Sequence, residues 1–162
     1  MTGPGPNVRP AVPDDAAALA RLRLAFRTEV AEAEEPADEF AERCERWMAG
    51  RLAGPLWRAW LAEAGGEAVG TAWLQVLEKL PNPVAEPEWH GYVSSLYVAP
   101  EWRGSGIGSR LLAACLAECE WREVDAVILW PTPRSRSLYL RHGFAVGEDL
   151  LERRGGMRGG PS

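Results

Sequence analysis

Residues 92 to 112 read Tyr-Val-Ser-Ser-Leu-Tyr-Val-Ala-Pro-Glu-Trp-Arg-Gly-Ser-Gly-Ile-Gly-Ser-Arg-Leu-Leu. A β-branched and aromatic run leads into a glycine-rich turn, and an amphipathic pattern follows, so this stretch predicts a strand, a tight loop and a helix. Gly104, Gly106 and Gly108 carry no Cβ, which lets the main chain bend sharply and its N–H groups converge at the positive end of the helix. That arrangement predicts a binding site for a phosphate group.

The residues beside the glycines argue against two common phosphate sites. A P-loop needs Gly-Lys followed by Ser or Thr, whereas Ser109 and Arg110 follow Gly108, so a nucleotide hydrolase is disfavoured. A dinucleotide site needs Gly-x-Gly-x-x-Gly, whereas every second residue from Gly104 to Gly108 is glycine. Neither of these two nucleotide folds matches the pattern.

The segment from Arg103 to Gly108 instead has the form Arg-x-x-Gly-x-Gly and resembles the pyrophosphate-binding motif of the GCN5-related N-acetyltransferases. A second segment, Leu138 to Phe144, is similar to the Leu-Tyr-x-x-x-Gly-Phe segment of that family. The two motifs occur in the family's order, and the resemblance extends over nearly the whole chain. It implies an acetyl-CoA-dependent N-acetyltransferase.

The pattern of elements agrees with this resemblance. We expect an α/β (α+β) fold with a mixed, mostly antiparallel central sheet flanked by helices, in the order β-α-α-β-β-β-α-β-α-β. The chain is expected to form one domain over residues 1–162, with disordered tails at 1–6 and 155–162. Strands are predicted at 8–11, 56–62, 68–77, 91–98, 126–130 and 144–146, and helices from Asp14 or Asp15 to Phe26, at 40–48, from the glycine turn to Cys119, and at about 133–141.

Composition narrows the range of binding partners and sites that we expect. The 162 residues carry a net charge of −5, which argues against a nucleic-acid-binding protein. The three cysteines lack Cys-x-x-Cys spacing and there are two histidines, so we expect reduced thiols and no metal site. No apolar run is long enough for a membrane span, and we expect a cytoplasmic protein that binds no membrane.

The resemblance implies which residues bind the cofactor. Main-chain groups of the central strand would pair with the pantetheine arm and stabilise the oxyanion, and the glycine turn would hold the pyrophosphate. The residues concerned are Leu96, Tyr97, Val98, Arg103, Gly104, Ser105, Gly106, Ile107, Gly108, Ser109, Thr132 and Arg134.

Three residues are candidates for proton transfer. Tyr139 occupies the position of the family's general acid, and a phenol, with an ordinary pKa of about 10, can donate a proton to a thiolate. Glu88 and His90 precede or begin the central strand and are alternative bases; an imidazole titrates near pH 6.5, whereas a carboxylate needs burial. Reaction without a protein base remains the third alternative.

One position departs from the family. Thr132 stands where an asparagine often contacts the cofactor, and Pro131 and Pro133 on either side remove main-chain donors. Arg134 and Arg136 are candidates for contacts with the CoA phosphates.

The acceptor is left open by the sequence. The acidic stretch from Glu32 to Glu39 suits a cationic amine, and a small amine, an antibiotic amine, an amino acid or a protein N-terminus all fit. An exposed strand edge allows a homodimer. A non-catalytic acyl-CoA sensor or interaction module is the alternative function.

Overall fold

The structure is a computed structural model that describes residues 5–155. The predicted disordered tails, 1–6 and 155–162, lie largely outside this range; Gly5, Pro6 and Gly155 are within it and belong to no helix or strand. The chain divides into two compact units between Trp130 and Pro131. Each unit is described by itself below.

The first unit contains a five-stranded sheet in the order β1-β2-β3-β4-β5. β1 to β4 pair antiparallel, and β5 pairs with β4 in parallel. The predicted mixed, mostly antiparallel sheet is therefore confirmed. The strands are β1 (Asn7–Pro10), β2 (Trp57–Ala64), β3 (Glu67–Glu78), β4 (Trp89–Val98) and β5 (Ala126–Ile128).

Helices pack on both faces of this sheet. Three belong to the first unit, namely α1 (Ala16–Thr28), α2 (Ala37–Leu52) and α3 (Ile107–Trp121). Trp73 of β3 faces a core that contains residues of α1 and α2. A Cβ at Gly70, three residues earlier, would lie 3.2 Å from Leu111 Cδ1, so the opposite face of β3 contacts α3.

The predicted apolar stripe of α3 is buried. Leu111, Leu112 and Cys115 are fully covered and Cys119 is nearly so. Covering each leucine contributes about 2 kcal/mol to folding. The burial also raises the pKa of the Cys119 thiol to about 11, so this thiol is protonated at neutral pH. All three cysteines are free.

The first helical turn differs from the prediction that Asp14 or Asp15 caps α1. Asp15 is the N-cap residue, but its side chain makes no cap hydrogen bond. Its carboxylate accepts hydrogen bonds from both terminal nitrogens of Arg9 at 2.8 Å and from the Val12 N–H at 2.8 Å. Arg9 also donates to Glu63 of β2. A charged partner from the sheet thus replaces the local cap.

Replacing Asp15 with asparagine is expected to lower the free energy of unfolding by about 1 kcal/mol at pH 7, because two charge-assisted hydrogen bonds weaken. Arg9 holds the pKa of the Asp15 carboxyl below its usual value. The stabilisation is therefore present above the unfolded-state pKa of about 3.9 and disappears as the pH falls through the lower folded-state value. Urea unfolding from pH 7 to pH 3 measures it. Asp14→Asn, an exposed neighbour, should change stability little, and equal losses in the two variants would contradict the assignment.

The second unit begins at Pro131 and contains one helix, α4 (Arg136–Arg141), among its described residues. The helix starts later than predicted, because Thr132 and Ser135 form a compact turn in which each hydroxyl bonds to the other residue's main chain. The predicted strand at 144–146 is wrong: these residues belong to no strand, and Val146 is 76% exposed. Of these three residues only Phe144 packs its side chain, and this burial is too small to stabilise a strand.

β5 is also shorter than the prediction of 126–130. Its ladder ends at the pair Tyr92 and Ile128, and the ring of Trp130 lies against Tyr92 with the centroids 5.2 Å apart. Two prolines follow immediately, at 131 and 133, and proline cannot donate to a sheet ladder. The parallel pairing therefore covers only the first part of β4.

Candidate functional site

β4 contains a bulge just before the glycine turn. Thr71 pairs with Tyr97 and Trp73 pairs with Ser94, so two residues of β4, Ser95 and Leu96, face one residue of β3. Ser95 has φ of +52°, an uncommon value for a residue other than glycine. A bulge interrupts the ladder and turns main-chain groups away from the neighbouring strand.

The outer edge of β4 is open beyond the bulge. Its pairing with β5 ends at Tyr92, and among residues 5–155 no strand pairs with the side of Leu96–Val98 that faces away from β3. No strand therefore blocks an extended ligand from this edge, where it would bind as an added strand does, although the Val98 carbonyl already accepts a hydrogen bond from Arg103 Nε. The family resemblance assigns the main chain of this stretch to the pantetheine arm.

The glycine turn leads directly into α3. Gly106 is the N-cap residue of α3 with φ of +82°, and Gly104 has φ of +78°. A Cβ built at either glycine meets no atom within 4 Å outside its chain neighbours, so the space in front of the turn is open. No side chain caps α3, which leaves the N–H groups of its first turn, including those of Gly108 and Ser109, for an anion.

Arg103 lies between these two features and contacts both the strand and α1. Its Nε donates to the Val98 carbonyl at 2.9 Å, and its Nη2 donates to the two carboxylate oxygens of Glu29 at 2.7 and 3.0 Å. Tyr97 also donates to Glu29 at 2.9 Å. Burial and this hydrogen bond raise the pKa of Tyr97 to about 12, so the phenol stays a donor at neutral pH.

Two further residues of α1 contact the bulge. Arg23 donates to the Ser95 hydroxyl at 2.9 Å, and the rings of Phe26 and Tyr97 lie with centroids 5.4 Å apart. Burial lowers the pKa of Arg23. Sequence reasoning missed Arg23 and Glu29, because their partners lie about seventy residues away in the chain and no local spacing links them.

The two candidate bases lie at the other end of β4. Glu88 is exposed just before the strand, and its carbonyl accepts from the Lys79 N–H. His90 is half-buried, and its Nδ1 is buried without a hydrogen-bond partner in the described part of the chain. Six residues of extended strand separate His90 from Leu96, about 20 Å. The structure therefore does not bring either candidate next to the bulge.

Polar residues nearer the bulge were not singled out from the sequence. Tyr92 and Ser94 pair with Gln75 and Trp73 and face the side of the sheet that carries α1 and α2. Alternation along a strand places them on the same face as His90. Tyr92 contacts Trp130 through its ring, and neither Tyr92 nor Ser94 is assigned a part in the reaction.

In the second unit, Tyr139 is held by the end of α4. The Gly143 N–H bonds to the Leu140 carbonyl, the Phe144 N–H bonds to the Tyr139 carbonyl, and Gly143 has φ of +86°. These are the two hydrogen bonds of a Schellman motif, and the rings of Tyr139 and Phe144 make its usual apolar contact at 5.7 Å. The predicted C′ position of Gly143 is confirmed.

Thr132 and Arg134 lie in the exposed segment before α4. The Thr132 hydroxyl is 2.9 Å from that of Ser135, so the local turn engages it. This contact gives the threonine a structural role in the place where asparagine often stands in the family that the chain resembles. Both residues stay predicted cofactor ligands.

Two further observations concern other classes of site. Within residues 5–155 no three or more His, Cys, Asp or Glu side chains gather as metal ligands do. No helix in the same range has the length and apolar character to cross a bilayer.

Comparisons with known proteins agree with this geometry. The model of the acetyltransferase (GNAT) family matches residues 17–144. The chain is 36% identical over 118 residues to an aminoglycoside N(6')-acetyltransferase type 1 from Stenotrophomonas maltophilia, a match that covers 72% of this chain and 69% of that protein.

Two solved structures have a similar fold. A GCN5-related N-acetyltransferase from Ralstonia eutropha superposes with a TM-score of 0.75 and 28% identity, over 94% of this chain and 100% of that one. A predicted acetyltransferase from Clostridium acetobutylicum, solved with acetyl-CoA, superposes with a TM-score of 0.77 and 23% identity, over 92% and 96%. The second likeness concerns the fold alone.

Proposed function

The chain belongs to the acetyltransferase (GNAT) family, and from that premise we propose that it transfers an acetyl group from acetyl-CoA to a primary amine. The observation that carries this proposal is the open glycine turn at the head of α3 beside the unpaired edge of β4. A diphosphate needs main-chain donors without nearby Cβ atoms, and an extended pantetheine needs a free strand edge. The first unit contains both.

The residues proposed to hold the cofactor follow from these two features. Leu96, Tyr97 and Val98 offer the strand edge, and the turn from Arg103 to Ser109 offers N–H groups to the phosphates. Thr132 and Arg134 stay proposed as additional cofactor ligands. The family model spans both units, which supports one acetyltransferase domain.

The chemistry divides among a few groups. Bound acetyl-CoA supplies an activated thioester. Main-chain N–H groups at Leu96–Val98 stabilise the negative charge that develops on the carbonyl oxygen. The Tyr139 hydroxyl donates its proton to the departing sulfur. Glu88 and His90 remain proposed acceptors of the amine proton, although their distance from the bulge favours the alternative in which water takes it.

We propose a small-molecule amine as the acceptor. The relative from Stenotrophomonas maltophilia is named for aminoglycosides, which are polyamines, and the acidic connection between α1 and α2 suits a cation. An amino acid or a protein N-terminus is the other possibility. The three free thiols suit the reducing cytoplasm, and pairing of two chains along a sheet edge would give a homodimer.

A thiol-release assay tests the proposal. Acetyl-CoA is supplied with aminoglycosides, aliphatic diamines, amino acids and short peptides in separate reactions, and calorimetry measures CoA binding in parallel. We expect thiol release above the hydrolysis background with at least one small amine. Tight CoA binding without turnover on any amine would instead favour the acyl-CoA sensor, which the engaged Thr132 hydroxyl and the remote Glu88 and His90 also allow.

A further inference from the structure

One face of α1 contacts the main features of the cofactor site. Arg23 and Phe26 of α1 and its C-cap residue Glu29 are spaced by three residues, which places them along one side of the helix and its end. In order, they contact Ser95 at the bulge, the Tyr97 ring, and the Tyr97 hydroxyl together with Arg103. The end of α1 is therefore joined to the start of the glycine turn.

We propose that Glu29 is a positioning residue for the glycine turn, and that Arg103 acts as a staple that fixes the turn instead of binding phosphate through its side chain. The proposal rests on the proposed function for its connection with CoA. Arg103 uses Nε for the Val98 carbonyl and Nη2 for Glu29, so its planar group links β4 to α1. Gly104 follows directly, and its position is set by this link.

The surroundings of the pair favour this role. The Arg103 and Glu29 side chains are 30% and 29% exposed, so both are partly covered. The guanidinium also lies 5.7 Å from the centre of the Tyr97 ring, and Tyr97 donates to the same carboxylate. The side chains of Arg103, Glu29 and Tyr97 thus fix one another in position. To bring Nε or Nη2 to a phosphate, the side chain would have to give up its bonds to Val98 and Glu29.

The two possible roles of Arg103 predict opposite changes in CoA affinity when Glu29 is neutralised. If Arg103 binds phosphate, Glu29 competes with the phosphate for the guanidinium, and neutralising Glu29 strengthens CoA binding. If Arg103 is a staple, neutralising Glu29 loosens the turn and weakens CoA binding. The sign of the change separates the two roles.

The experiment compares Glu29→Gln with Glu32→Gln, which removes the same charge from an exposed residue of the same connection. We expect CoA affinity, measured by calorimetry, to fall about tenfold in Glu29→Gln and to stay within about twofold in Glu32→Gln. The kcat of Glu29→Gln at saturating acetyl-CoA should change little. Arg103→Lys keeps the charge but loses the planar guanidinium that bonds Val98 and Glu29 together, so it should weaken CoA binding to a similar extent. Because the two residues act as one pair, the double variant should bind CoA no more weakly than either single variant.

A second readout needs no CoA. Amide hydrogen exchange of the free protein should be faster at residues 103–108 in Glu29→Gln than in wild type or Glu32→Gln. Unchanged exchange, or tighter CoA binding in Glu29→Gln, would overturn the staple. If the wild type fails to bind CoA, the proposed function fails, and the exchange data still decide whether Glu29 holds the turn.

Discussion

Gly106→Asp is expected to weaken CoA binding by about 100-fold or more. Gly106 has φ of +82°, and a Cβ there would enter the open space in front of α3. An aspartate would place a carboxylate where we propose that the diphosphate lies. Like charges 4 Å apart repel by about 4 kcal/mol at the effective dielectric near a protein surface, and 100-fold corresponds to about 2.7 kcal/mol. Calorimetry with CoA measures the loss.

Two control variants isolate the charge. Gly106→Asn has the same shape and tolerates the left-handed backbone as well as aspartate does, so its smaller loss reports the side chain alone. Gly65→Asp puts the same group at another left-handed glycine, in the turn between β2 and β3, where φ is +60°. It should leave CoA affinity unchanged. If the Asp and Asn variants at 106 bind CoA equally well, the diphosphate does not lie at this turn.

Tyr139→Phe is expected to lower kcat by about 100-fold and to change CoA affinity by less than about twofold, since it removes the proposed general acid and no proposed cofactor contact. The phenyl ring keeps the contact with Phe144, and the main-chain bonds at the end of α4 are unaffected. The loss should therefore appear in turnover. Steady-state thiol release with the acceptor found in the amine screen measures it.

Tyr92→Phe is the matched control, because it removes the same hydroxyl from a tyrosine of β4 that contacts Trp130 through its ring. Its kcat should stay within a few-fold of wild type. A Tyr139→Phe enzyme with the wild-type kcat would remove the phenol from the mechanism, and departure of the thiol without a protein acid would then be required.

Local patterns predicted most of the sheet and the long helices. The apolar stripe of Leu111, Leu112 and Cys115 predicted α3, and this stripe is buried as expected. The hairpin between β2 and β3 was predicted from Gly65 and Gly66, both of which have positive φ. Such features depend on residues a few positions apart. Periodicity and turn chemistry are sufficient to predict them.

Features that depend on distant partners could not be predicted in this way. The carboxylate of Asp15 turns to Arg9 and not to the helix, because a guanidinium from β1 competes with the local cap. Glu29 meets Arg103 seventy-four residues later, and no spacing in the sequence signals the pair. The apolar residues at 144–146 suggested a strand, but Phe144 packs on Tyr139 as part of a helix end.

The helix end around Gly143 also accounts for the number of residues between Tyr139 and the Gly-Phe pair in this chain. Tyr139 supplies the carbonyl that closes the motif, and Phe144 supplies both the matching N–H and the ring that rests on the phenol. An α-helix turns by about 100° per residue. One inserted residue would therefore place the phenol on another side of α4 and break the two hydrogen bonds that end the helix. The number of residues between Tyr139 and Gly143 thus sets the direction in which α4 presents the proposed acid.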